Sequence, residues 1–222
     1  MTLFIAGLLL IAAIPAMRPR FAVLTFAGLS LSLLGGGMAA FAMGNWLFDS
    51  ATLTLPAGYQ PGKKYPMLVY FYELMSDTHH QFQLPPYDDR PHMATYASNG
   101  YLVLQPDVVY EIGKPGTSAL DCVTAAVKKV IELGYADPAK IGLQGHSWGG
   151  YQSSFILTQT NMFAAVVTGA PPTDLTSFVG TTYPSTGTLQ QGITEVGQVR
   201  MGKDVTPWSA HALYESQSPV HN

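Results

Sequence analysis

Apolar positions along this chain change their rhythm near residue 50. Residues 1–48 are apolar almost without a break, and from residue 51 short apolar runs alternate with stretches of helical period. Ala51-Thr52-Leu53-Thr54-Leu55 alternates like a half-exposed strand. Residues 67–72 form an apolar and aromatic run, fit for a buried central strand within 65–72. Further strands are expected at 101–105, 140–144 and 163–168. Helical period predicts a short helix over 91–98, ended by Asn99-Gly100. It predicts a longer one over 118–134, with Ser118 and Asp121 as a capping-box-like start and Gly134 as its stop. Leu120, Val127, Val130 and Ile131 supply the apolar face of that helix. A third helix is expected over 151–158. Residues 56–62 read as a turn and 77–90 as a polar loop. Residues 176–206 read as polar, glycine-rich loops beside a site. Strands alternating with helices imply an α/β fold, a parallel sheet with helices on both faces.

The candidate chemistry sits between the strand at 140–144 and the helix at 151–158. Gly145-His146-Ser147-Trp148-Gly149 fits G-x-S-x-G, and Gly150-Tyr151 extends it. A strand, a tight turn and a helix are the setting this motif needs to present a nucleophile. The turn strains the serine backbone and lifts its hydroxyl, and the flanking glycines remove side chains that would clash. The helix then starts at the site, so the N–H of Trp148 and the helix dipole can stabilise an oxyanion. Ser147 is the candidate nucleophile. His146 reads as a packing or hydrogen-bonding residue under the turn, and Trp148 as a wall of the acyl pocket.

Several segments in order match one family. They are Lys63-Lys64-Tyr65-Pro66 with the strand after it, Asn99-Gly100-Tyr101, Asp137-Pro138-Ala139-Lys140-Ile141-Gly142, Gly145 to Tyr151, Ala170-Pro171, Pro207-Trp208 and Ser218-Pro219. From about Leu53 to Asn222 the chain resembles the catalytic domain of the prolyl oligopeptidase family of serine peptidases. That group includes the dipeptidyl peptidase IV type and the acylaminoacyl peptidases. The resemblance implies an α/β-hydrolase fold and cleavage of peptide or small ester substrates through an acyl-enzyme on Ser147. It also implies a second oxyanion donor, the hydroxyl of Tyr72 at the end of the strand after the Lys-Tyr-Pro segment. An esterase of the same fold, or a non-catalytic, membrane-attached relative, are the rival readings. The chain departs from the family where Asp107-Val108-Val109-Tyr110 replaces an aspartate-arginine-glycine stretch. Residues 172–178 also lack the aromatic cluster that shapes a proline-accepting pocket, so cleavage after proline does not follow. No β-propeller segment is read ahead of the domain.

A serine needs a base, and in α/β-hydrolases the order is Ser, then Asp or Glu, then His. The family carries both partners beyond the Ser-Pro segment, where only Val220-His221-Asn222 follow here. Asp174, Asp204, His211 and His221 are the candidates after Ser147, and none matches a family position. The expectation is a domain truncated at its C-terminus, with weak or no turnover. A sheet lacking its last strands would leave 163–168 as an exposed edge, open to a partner or to self-association.

Composition narrows the setting. The chain has 222 residues, 11% of them charged, and a net charge of −3 without a basic block, which argues against nucleic acid. A lone Cys122 excludes an internal disulfide and reads as a small buried residue. His79-His80, near Asp77 and His92, fits no standard metal spacing, and no metal or other cofactor is expected. Residues 1–48 carry only Arg18 and Arg20 as charges, and form the candidate signal or transmembrane helical region ahead of a hydrolase domain at 49–222. Residues 21–48 are long enough to span a bilayer. With a start at Met1, two apolar segments form a hairpin with the arginines inside. With a start at Met17, Ala40-Phe41-Ala42 is a cleavage site. Both place the domain outside the cytoplasm.

Overall fold

The computed structural model describes residues 23–27, 50–78, 81, 84–195 and 200–222. Six strands form one sheet: β1 (Val23–Ala27), β2 (Ser50–Thr54), β3 (Tyr65–Tyr70), β4 (Leu102–Pro106), β5 (Ala136–His146) and β6 (Ala165–Gly169), in the order β1-β2-β4-β3-β5-β6. The four central and distal strands, β4, β3, β5 and β6, are parallel, while β2 runs antiparallel to β1 and β4. Helices α1 (Met93–Ser98), α2 (Pro115–Glu132) and α3 (Trp148–Gln159) connect them. Three short helices follow: α4 (Leu175–Val179), α5 (Gln191–Glu195) and α6 (His211–Gln217).

The alternation of side chains along β3 and β4 sorts the helices onto two faces. Met67, Val69, Leu102 and Leu104 pack in the main core with Ala119, Val123 and Val127 of α2. Tyr70 and Val103 turn to the other face, against Met93 and Ala97 of α1. Strands covered on both sides need apolar residues at every position, which is the run seen at 67–71. The fold is the mostly parallel α/β arrangement expected from the sequence.

Three expectations change. Residues 51–55 are not half exposed: Thr52, in a strand that lies between β1 and β4, is buried as well as Leu53 and Leu55. The long helix starts at Pro115, so Ser118 is no cap. Proline at the first helical position presets the backbone and lacks an N–H that would need a partner. Gln217 Oε1 takes the N–H groups of Gly116 and Thr117 at 3.0 and 3.2 Å, and Ser118 Oγ accepts the Glu111 N–H at 3.0 Å instead. Within the region expected to be helical, Val23–Ala27 is a strand. Its valine, threonine and phenylalanine suit a strand, and the edge of β2 offers backbone partners in register from Val23–Thr54 to Ala27–Ser50. The rest of the expected signal or membrane region lies outside the described residues. Among the described residues, no helix is long and apolar enough to cross a membrane.

Cys122 is buried in α2, as read. At the far side of the sheet, β6 pairs only with β5 among the described residues, and Val167 is half exposed there.

Candidate active site

β5 ends at His146, α3 starts at Trp148, and Ser147 alone makes the turn between them. Its φ of 55° lies in the left-handed region, the strained geometry of an elbow. Two hydrogen bonds fix it: the Ser147 N–H donates to the Gly169 carbonyl at 2.8 Å, and the Ser147 carbonyl accepts from Tyr151 N–H at 3.0 Å. Close packing explains the glycines. A Cβ on Gly145 would overlap the Gly149 carbonyl, and one on Gly149 would lie 2.6 Å from the Phe71 carbonyl. The elbow is wedged between its own first turn and the end of β3.

Trp148 opens α3, so its N–H has no intrahelical acceptor. Its ring is buried, donates from Nε1 to the Tyr110 hydroxyl at 3.1 Å and lies 4.5 Å from the Tyr151 ring. Tyr151 is fully buried and donates to the Gln217 carbonyl at 2.8 Å. Burial pushes the Tyr110 and Tyr151 phenols far above their usual range, so both stay neutral anchors. Tyr72 lies two residues past β3 and is partly exposed. A Cβ on Gly149 would lie 3.5 Å from Tyr72 Cδ2, so the Tyr72 ring stands beside the elbow.

Two cavities meet at Ser147 and Tyr72. One, of about 320 Å³, is walled by Trp148, Phe178, Tyr183, Ile193 and Arg200. The other, of about 620 Å³, is lined by Met75, Leu84, Arg90, Met93 and His146. The stretch 172–178 is expected to lack the aromatic cluster of a proline-accepting pocket; Phe178 of α4 and Tyr183 after it bring two rings to the smaller cavity. The region 176–206, expected as loops beside the site, supplies this wall through α4 and α5.

The remaining candidates lie elsewhere. Asp174 caps α4, taking Thr176 and Ser177 N–H groups at 3.0 and 3.3 Å and the Ser177 hydroxyl at 2.5 Å. Desolvation raises its carboxyl, but these bonds outweigh it and hold the group below its usual range. Asp204 sits in a turn with a φ of 63°. His211 is exposed and pairs with Glu215 at 3.2 Å, and His221 is exposed in a terminal 3-10 turn. Among the described residues, none of these hydrogen-bonds to Ser147. His146 bonds through Nδ1 to Asp89 Oδ1 at 2.6 Å, and Gln144 Nε2 donates to the Asp89 carbonyl. This ties the loop at 84–90 to the end of β5, a hydrogen-bonding role of the kind read for His146. His79 and His80 lie outside the described residues.

Sequence reading missed Asp89, Glu73 and Arg200. Arg200 Nε meets Glu73 Oε1 at 2.6 Å, with their side chains 6% and 15% exposed. The only trace of this in the sequence was a glutamate directly after Tyr72.

The mostly parallel sheet and the strained serine between β5 and α3 are the arrangement of the α/β-hydrolase fold. Residues 112–221, the stretch that carries the elbow, match the sequence model of the prolyl oligopeptidase family. The resemblance is to a family of serine hydrolases. Solved structures share the fold. Dipeptidyl peptidase 4 of Porphyromonas gingivalis aligns with a TM-score of 0.55 and 23% identity, over 78% of this chain and 23% of that one. An acylaminoacyl peptidase solved with Z-Gly-Gly-Phe-chloromethyl ketone gives 0.58 and 18%, over 78% and 27%. A putative dipeptidyl aminopeptidase IV from Bacteroides ovatus gives 0.60 and 19%, over 90% and 26%. The chain spans about a quarter of the length of these structures.

Proposed function

We propose that this domain cleaves peptide or small ester bonds through an acyl-enzyme on Ser147. The observation that carries the reading is the strained Ser147 at the meeting point of two cavities, next to Trp148 and Tyr72. Ser147 Oγ attacks the substrate carbonyl carbon and gives up its proton to solvent water, while the carbonyl oxygen becomes an oxyanion facing the Trp148 N–H and the Tyr72 hydroxyl. Collapse of this intermediate breaks the scissile bond, the amine or alcohol leaves with a proton taken from solvent, and the acyl group stays on Ser147. A water molecule then adds to the acyl carbonyl, the free acid departs, and Ser147 regains its hydroxyl proton. The smaller aromatic cavity holds one side of the scissile bond and the larger cleft the other.

A second reading, a non-catalytic hydrolase fold, draws on one observation. Among the described residues, no imidazole or carboxylate bonds to the Ser147 hydroxyl. A fluorophosphonate probe separates the two. We expect covalent labelling of the full chain at Ser147, lost in Ser147→Ala. An unlabelled serine overturns the acyl-enzyme reading. With no described base at Ser147, turnover of a chromogenic ester is expected to be slow. In a studied serine protease, about a thousand-fold advantage over water persists without the triad.

The apolar stretch at 1–48, with Arg18 and Arg20 alone as charges, supports export or membrane attachment of the domain. Fractionation of cells producing the full chain tests this. Recovery in the cytoplasm alone would sink it.

A further inference from the structure

Glu73 directly follows Tyr72, and its φ of 73° lies in the left-handed region. Glycine sits there without strain and glutamate does not. The surroundings hold it in place. Its carbonyl accepts the Val108 N–H at 2.9 Å, and its carboxylate takes Arg200 Nε at 2.6 Å. Arg200 is buried in turn. Its Nη1 donates to the Ile193 carbonyl at 2.7 Å, and its guanidinium lies 3.8 Å from the centre of the Trp148 ring. The Arg200 carbonyl accepts from Gly113 N–H at 2.8 Å. One ion pair therefore joins the loop carrying Tyr72, the first residue of α3 and the wall of the aromatic cavity.

We infer that Glu73 is a positioning residue which, through Arg200, fixes the Tyr72 hydroxyl and the Trp148 ring relative to Ser147. The inference rests on the reading of Tyr72 and Trp148 as the oxyanion pair. A loop that only had to turn here is served by glycine. A strained glutamate makes sense where its carboxylate has a task, and this one is bonded to a cation that lines the cavity beside the nucleophile. The larger meaning is that the oxyanion site is set by a contact between segments 127 residues apart.

The test is the rate of fluorophosphonate labelling of the full chain, in wild type, Glu73→Gly, Tyr72→Phe and the double variant. Each single change should slow labelling by about tenfold or more. If Glu73 acts through Tyr72, the losses are not additive, and the double variant is within about twofold of Tyr72→Phe. Additive losses, or labelling of Glu73→Gly within about twofold of wild type, overturn the inference. If Glu73→Gly does not fold, Glu73→Gln keeps the shape without the charge, and the same comparison decides. If the wild type takes no label, the acyl-enzyme reading falls, and amide exchange of Glu73→Gln decides the clamp. Exchange should then quicken together at 72–76 and at 148–150. No change, or a change confined to 72–76, overturns it.

Discussion

Two walls flank Ser147, and both carry ion pairs. On one, Glu73 and Arg200 are 15% and 6% exposed, packed on the Trp148 ring. On the other, Asp88 and Arg90 are 39% and 51% exposed, and make a two-pronged contact in a loop. The bonds are equally short, 2.6 and 2.7 Å, but their surroundings differ. A charge removed from water depends on its partner, because losing the partner leaves it stranded. A charge in water loses little, since solvent takes over. The buried pair is therefore expected to respond far more strongly than the exposed pair to the loss of one partner.

The comparison can be broken or sharpened by substitution. The largest effect is expected from Ser147→Ala, which should reduce labelling and ester turnover to background. Persistent labelling would mean that neither wall flanks a nucleophile. Next comes Arg200→Met, expected to lower unfolding stability in urea by about 3–5 kcal/mol by stranding Glu73. A loss of under about 1 kcal/mol would erase the contrast between the walls. Tyr72→Phe is expected to slow acylation by about a hundredfold, the cost of one oxyanion donor, with the unfolding midpoint unchanged.

The smallest effect belongs to the exposed pair. The side-chain bond from Arg90 holds the Asp88 carboxyl down at about 2. A depressed carboxyl contributes stability above its ordinary range and loses it as pH falls towards 2. Arg90→Ala should therefore raise the Asp88 titration, followed by carboxyl NMR, part of the way to the ordinary range, because the backbone N–H of residue 90 still donates to Asp88 Oδ1. Solvent screens this exposed pair, so the stability it contributes between pH 5 and 8 is small and the urea midpoint there should fall only slightly. A drop as large as that of Arg200→Met would make this wall structural too.

The elbow was legible because seven consecutive residues, Gly145 to Tyr151, carry its whole geometry. The central strands were legible for a similar reason, since burial on both faces leaves an unbroken apolar run. What was hidden depends on distant partners. Nothing near Ser118 tells that Gln217 will serve the N-terminus of α2 from 101 residues away. The alternation at 51–55 is the pattern of a half-covered strand, and nothing in it tells that Thr52 is buried too. Phe178 and Tyr183 reach the smaller cavity because α4 and the turn after it lie beside Ser147, which no local pattern in 172–183 tells. Asp89 and Arg200 likewise sit in segments whose local pattern says only loop.

The fit of Gly145 against Gly149, and of Gly149 against Phe71, has a consequence in time. A backbone with no clearance on two sides cannot shift during a reaction cycle, so Ser147 is left with side-chain rotation, a picosecond-to-nanosecond event. Slower conformational steps, such as admitting or releasing a bound molecule, then fall to the loops around the two cavities. The rim is the part of this site left free to move, while the backbone of the serine at the centre stays still.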